Sequence, residues 1–257
     1  MKTYLSIAAL SAQVLIVMGS WHPAPVQAAG TSVPAHNLLS TEEIVERLVQ
    51  RNLERARALT AYEGSRVYRL EYHGFPSARS AEMIVDVKYR SPGTKEFTIR
   101  SETGSRLIID RVFHKLLQSE KEALTEENQA HVALNTENYR FTLIGFETTL
   151  TDSCYVLSVE PRTKDKLLYR GQIWVDAQDF AVVRIEATPA KNPSFWTKET
   201  KIKQHYGKVG DFWLPVSNES SSVIRLGGQA DLTIDYRDYQ ITSADPAFVT
   251  NTVAGRR

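Results

Sequence analysis

A chain that does covalent or metal chemistry usually places a nucleophile beside a base, or ligands at short spacing. Here the residues that could do so are six histidines, one cysteine and a few acidic side chains. The histidines are His22, His36, His73, His114, His131 and His205, and no two stand four residues apart or at a short Cys/His spacing, so no metal site is expected. Cys154 follows Ser153 without a Gly-x-Ser-x-Gly frame, so it reads as a small buried apolar residue rather than a nucleophile. A lone cysteine also excludes an internal disulfide and a cysteine-rich metal site. Asp176 and Asp179 bracket a turn, and turn chemistry accounts for both. The basic stretch 162–166 reads as a solvated hairpin tip. The chain is therefore expected to bind rather than catalyse, with no cofactor.

Charge narrows what it could bind. Residues 1–28 read as a secretory signal peptide, with Lys2 as the charged region, an apolar run from Tyr4 to Met18, and Val26-Gln27-Ala28 as a small-x-small cleavage site. Cleavage would leave 257 − 28 = 229 residues and remove one lysine, giving 31 − 1 = 30 basic against 30 acidic side chains. That balance lacks the basic surplus of a nucleic-acid binder. No later stretch approaches the roughly 20 apolar residues of a membrane span. No cysteine lies at the cleavage site to carry a lipid anchor. The expectation is a soluble, exported, untethered monomer. A linker over 29–39 would precede one domain over 40–243, followed by a flexible tail over 244–257.

The elements follow from periodicity. Ser40 and Glu43 form a capping box, with Leu39 and Ile44 as a hydrophobic staple. Ile44, Val45, Leu48, Val49, Leu53 and Ala56 continue on one side of a helix over 41–58. The period then changes to two, and short alternating runs separated by turn residues predict about ten or eleven antiparallel strands. One helix interrupts them, read over 111–124 with Asp110 as its N-cap, and 125–137 reads as a polar loop with room for a helical turn. In the last strand the apolar set switches from Leu232, Ile234 and Tyr236 to Tyr239 and Ile241, which predicts a bulge.

Strands with one apolar and one polar face belong to an antiparallel sheet solvated on one side. The predicted fold is mainly β with α: a single strongly curved antiparallel sheet, an incomplete barrel, whose concave face is plugged or lidded by the helices. The side chains aimed at that face are Tyr68, Leu70, Met83, Val85 and Val87 from the early strands, with Phe97 and Ile99 from the next. Ile173, Val183, Ile185 and Ile234 join them from later strands, and Val112, Phe113 and Leu116 face them from the second helix. If the helices fill the space it is a core; if they lid it, these residues line a hydrophobic pocket. The volume beneath 112–117 distinguishes the two. Phe195 and Trp196, in a loop bounded by Pro189 and Pro193, would either meet a membrane or partner or fold back over the barrel end.

The segments Tyr169–Asp176 (Tyr-Arg-Gly-Gln-Ile-Trp-Val-Asp) and Phe180–Glu186 resemble the paired strands of the outer-membrane lipoprotein-sorting superfamily, LolA/LolB/RseB-like proteins. Gly210–Pro215, ending in Trp-Leu-Pro, and Gly228–Tyr236 are further points of likeness, which extends over roughly 40–242. The resemblance implies a half-barrel whose cavity accepts acyl chains. It also implies an acylated lipoprotein or lipid as ligand, and membrane-bound donor or acceptor proteins as partners. It further implies an arginine that couples sheet to lid, for which Arg66, Arg69 and Arg100 are available. The sensors of the same superfamily supply the alternative, an envelope-stress protein binding a membrane regulator.

Overall fold

Ser40 begins the fold as the capping box predicts: its hydroxyl accepts from the Glu43 amide at 3.2 Å, and Glu43 accepts the Ser40 amide at 2.8 Å. In the computed structural model, which describes residues 39–148, 152–165, 167–192, 197–225 and 227–243, the resulting helix α1 spans Thr41–Ala58. The predicted leader, the tail from 244 and the loop carrying Phe195 and Trp196 lie outside the described residues. Ile44, Val45, Leu48 and Ala56 are buried along one side of α1, as their spacing requires.

The chain passes directly from α1 into β1 (Leu59–His73), β2 (Arg79–Arg90) and β3 (Thr94–Gly104). The helical interruption has three parts: α2 (Arg106–Ile108), a π-helical turn (Ile109–Phe113) and α3 (His114–Ala123). A short α4 (Glu126–Val132) follows. The strands resume as β4 (Tyr139–Thr148), β5 (Ser153–Pro161), β6 (Tyr169–Asp176) and β7 (Val182–Pro189). Then come β8 (Thr197–Val209), β9 (Phe212–Ile224) and β10 (Gln229–Ser243). The helical interruption begins at Arg106 rather than 111, because Gly104 (φ 89°) ends β3 and the extended Ser105 turns the chain. Asp110 lies inside the helix and is not its cap.

All ten strands form one antiparallel sheet in the order β3-β2-β1-β10-β9-β8-β7-β6-β5-β4. Pairing β1 with β10 puts the start and finish of the barrel next to each other in its middle and leaves β3 and β4 as the two edges. The connection from β3 to β4 must therefore pass from one edge of the sheet to the other, and it carries the helical residues 106–132. Two apolar clusters share the covered face. One joins β1, β2, β9 and β10 to residues 108–117; the other joins β4–β8 to Ile44, Val45 and Leu48 of α1.

Bulges interrupt the regular pairing. The predicted bulge in β10 is present: Glu63 pairs with Gln240 but Ser65 with Arg237, and Asp238 takes φ 57°. A second bulge, between Trp174 and Val175 on one strand and their partners on the next, reverses the phase of β7. Val182 and Ile185 therefore face the core, while Val183 packs outward with Trp174, Cys154 and Val156. Strict alternation had Val183 facing inward; the extra residue of the bulge is what turns it out. Phe180, at φ 47°, belongs to the tight turn, so β7 starts at Val182.

Gly171, in the middle of β6, has φ 153°, and a Cβ there would collide with the Glu186 carbonyl oxygen and the Ala187 backbone of the paired strand. Gly210, in the β8–β9 turn, has φ 60° but open space around it. Gly171→Ala is expected to cost about 3 kcal/mol or more, combining strain with a backbone clash, against about 1 kcal/mol for Gly210→Ala. Urea unfolding of the two variants checks that order.

Candidate functional site

Arg66 stands two positions before the buried Tyr68 on the same strand face, and it is buried too. The same parity puts Lys95 of β3 on the covered face with Phe97. Helical spacing puts Glu120 of α3 below Leu116 and Leu117. The three side chains, each 3–4% exposed, meet. Arg66 donates to Glu120 through both terminal nitrogens, Nη1 to Oε2 at 2.6 Å and Nη2 to Oε1 at 3.0 Å. Lys95 Nζ donates to Oε1 at 2.6 Å, and Arg66 Nη1 also reaches the Tyr68 hydroxyl at 3.2 Å. The bidentate geometry is the strong form of an arginine–carboxylate pair.

Aromatic rings complete the enclosure. The Arg66 guanidinium lies 4.8 Å from the Tyr236 ring centre, and Lys95 Nζ lies 5.8 Å and 5.9 Å from those of Tyr62 and Tyr89. Burial by itself would push the Glu120 carboxyl up, but the two cations and their hydrogen bonds outweigh it and hold it at about 2. Burial would likewise lower Arg66, and Glu120 more than reverses this. All three groups are therefore charged at neutral pH.

These charges tie α3 to two strands, β1 and β3, in a mainly apolar contact that His114 and Glu102 of β3 border with a second pairing. Ile108, Ile109, Val112, Phe113, Leu116 and Leu117 pack on the sheet and are 0–7% exposed. The π-helical turn at Ile109–Phe113 lies in the middle of that contact, with the His114 amide donating to the Ile109 carbonyl. Such turns interrupt the regular ladder and concentrate at functional sites.

Tyr68, Leu70, Met83, Val85, Val87, Val112, Phe113, Leu116 and Ile234 are thus brought together as one packed cluster, with Phe97 at its margin. Ile173 and Ile185 belong to the second cluster. Ile99, on edge strand β3, is 42% exposed, and Val183 faces the other side of the sheet. Of the three arginines, Arg66 touches the helix; Arg69 pairs on the exposed face with Glu82 and Asp235, and Arg100 pairs with Asp86.

Between the two clusters lies a cavity of about 50 Å³. Arg66 and Lys95 line one part of it, and Leu59, Val182, Phe212 and Leu214 line much of the rest. Arg55 and Asn52, from the last turns of α1, are also in its wall. Beside it, Asp179 does more than shape a turn. Asp176 forms the turn, its Oδ1 accepting the amides of Gln178 and Asp179 at 3.0 and 2.6 Å. The Asp179 carboxylate accepts from Trp213 Nε1 at 2.9 Å and pairs with Lys208 at 2.7 Å, while its carbonyl accepts from Arg55. Asp179 therefore joins the β6–β7 turn to β8, β9 and α1. On the opposite face, Trp174 lies beneath the Arg184 guanidinium at 3.6 Å, and burial pushes the Cys154 thiol up to about 11, leaving it protonated.

A family model described as "uncharacterized protein" matches residues 129–253. No curated protein matches the chain. Among solved structures, a DUF1329 family protein from Desulfovibrio piger is similar at 14% identity over 78% of this chain and 92% of that one, with a TM-score of 0.40. A LolA superfamily protein from Nitrosomonas europaea is 12% identical over 83% and 99% of the two chains, with a TM-score of 0.35. An outer membrane lipoprotein-sorting protein domain from Vibrio parahaemolyticus is 12% identical over 80% and 94%, with a TM-score of 0.37.

Glu120→Gln leaves two buried cations without their counter-charge and is expected to cost about 3–5 kcal/mol in urea unfolding. Because the folded pKa of Glu120 lies below its ordinary 4.5, its contribution is complete above about pH 4.5 and is lost as pH falls towards about 2. Urea midpoints across that range should therefore fall in the wild type. The fall should be shallower in an Arg66→Met/Lys95→Met/Glu120→Leu variant.

Proposed function

We propose that the chain is an exported, non-catalytic carrier or binder of an acylated ligand, a lipoprotein or lipid, working in the periplasm in lipoprotein sorting or lipid transport. The observation that carries this reading is the make-up of the contact between residues 106–123 and the sheet. It is mainly apolar, with Glu102 of β3 pairing with His114 and Arg106 at its margin, and it encloses one fully buried charged latch, Arg66–Glu120–Lys95.

A well-packed apolar replacement is often as stable as a buried ion pair, so stability alone does not account for the latch. The latch instead gives the helix two defined states. In the closed state the side chains of 108–117 occupy the apolar face. In the open state Tyr68, Leu70, Met83, Val85 and Val87 need another apolar filler, and an acyl chain supplies it with about 0.8 kcal/mol per buried CH₂. The helix and the acyl chain compete for one surface, so release is as accessible as capture. No covalent step is needed, and membrane-bound donor and acceptor proteins would act by favouring one state or the other.

Native mass spectrometry of the protein purified from its own envelope fraction, without detergent, tests the reading. The expected result is a population carrying the extra mass of an acyl-bearing molecule, displaced by a fluorescent fatty acid. A bare polypeptide that also fails to bind the fluorescent fatty acid would contradict it.

A further inference from the structure

The buried latch is not neutral. Arg66 and Lys95 bring two positive charges and Glu120 one negative charge, leaving a surplus of one. Among the described residues, Glu120 is the one carboxylate that ion-pairs with either cation. Tyrosine faces soften the surplus without cancelling it. The same two cations line the cavity of about 50 Å³, whose wall holds a third cation, Arg55, and no acidic side chain. An unbalanced buried cation next to a space walled otherwise mainly by apolar groups favours an anion of small size with an apolar attachment.

We infer that this cavity is a head-group site for a carboxylate on an apolar chain, a fatty-acid-like monoanion whose charge is neutralised by Lys95 and Arg66. Its volume suits a carboxylate and little more. The chain would run from it onto the apolar face of Tyr68, Met83 and Val85, where the acyl-binding reading places it. This deepens the acyl-binding reading and rests on it for the chain, but the charge preference is separate. A neutral chain satisfies the apolar part alone.

The test compares octanoate, 1-octanol and acetate by calorimetry on the wild-type protein and on Lys95→Met. That substitution removes the surplus charge and leaves the bidentate Arg66–Glu120 pair intact. In the wild type, octanoate should bind about tenfold or more tightly than 1-octanol, as expected for a charge-assisted contact, and acetate should compete with octanoate but not with 1-octanol. In Lys95→Met the preference should collapse towards about onefold. Equal binding of octanoate and 1-octanol by the wild type overturns the head-group site while leaving the acyl-binding reading in place. Binding of neither overturns both. If Lys95→Met does not fold, the three-ligand comparison on the wild type decides alone.

Discussion

Two cations and one carboxylate held out of water between β1, β3 and α3 constrain the rest of the molecule. Each charge has lost its hydration, which costs several kcal/mol per ion, and only good geometry returns it. The geometry is good because each partner is fixed by a different element. Arg66 stands on the strand beside Tyr68, Lys95 on the edge strand paired opposite Tyr89, and Glu120 one turn beyond Leu116 and Leu117. A slip of one residue in either strand would turn its cation to the solvated face. The latch thus sets the register of the helix on the sheet more than it adds to stability.

Topology explains why a helix lies there at all. Because β1 pairs with β10, the two sheet edges belong to β3 and β4, which are consecutive in sequence. Their connection has to travel across the face of the sheet, and its apolar residues cover what they cross. Helix α1 covers the other half, where Ile44, Val45 and Leu48 meet β4–β8. The cavity with its cationic wall sits where the last turns of α1 meet residues of both apolar clusters. Fold, latch and cavity follow from one connectivity.

Much of this was legible in the residues. The capping box is a local device of Ser40 and Glu43, so the start of α1 was readable. The bulge near Asp238 was readable because the apolar phase of β10 changes there. The start of the second helix was not, since Ser105 makes no side-chain cap and Leu107 is exposed, leaving Asp110 as the more obvious cap. Val183 was misplaced because the β7 bulge has no comparable mark in the sequence. The latch left a signal that is easily passed over: Arg66, Lys95 and Glu120 each fall in phase with an apolar set, two before Tyr68, two before Phe97 and three after Leu117. Which of them meet depends on the sheet order, which no local pattern contains.

The central claim is that residues 106–123 form a separately opening cover on a stable sheet, held shut by the latch. Native-state amide hydrogen exchange, resolved by residue and followed with increasing urea, measures that directly. The account predicts that the amides of 114–123 exchange through an opening of lower free energy and smaller urea dependence than those of β1 and β10. It also predicts that Glu120→Gln lowers the opening energy of the helix more than that of the strands. Helix and strand amides that exchange with one common free energy, in both the wild type and the variant, would contradict it.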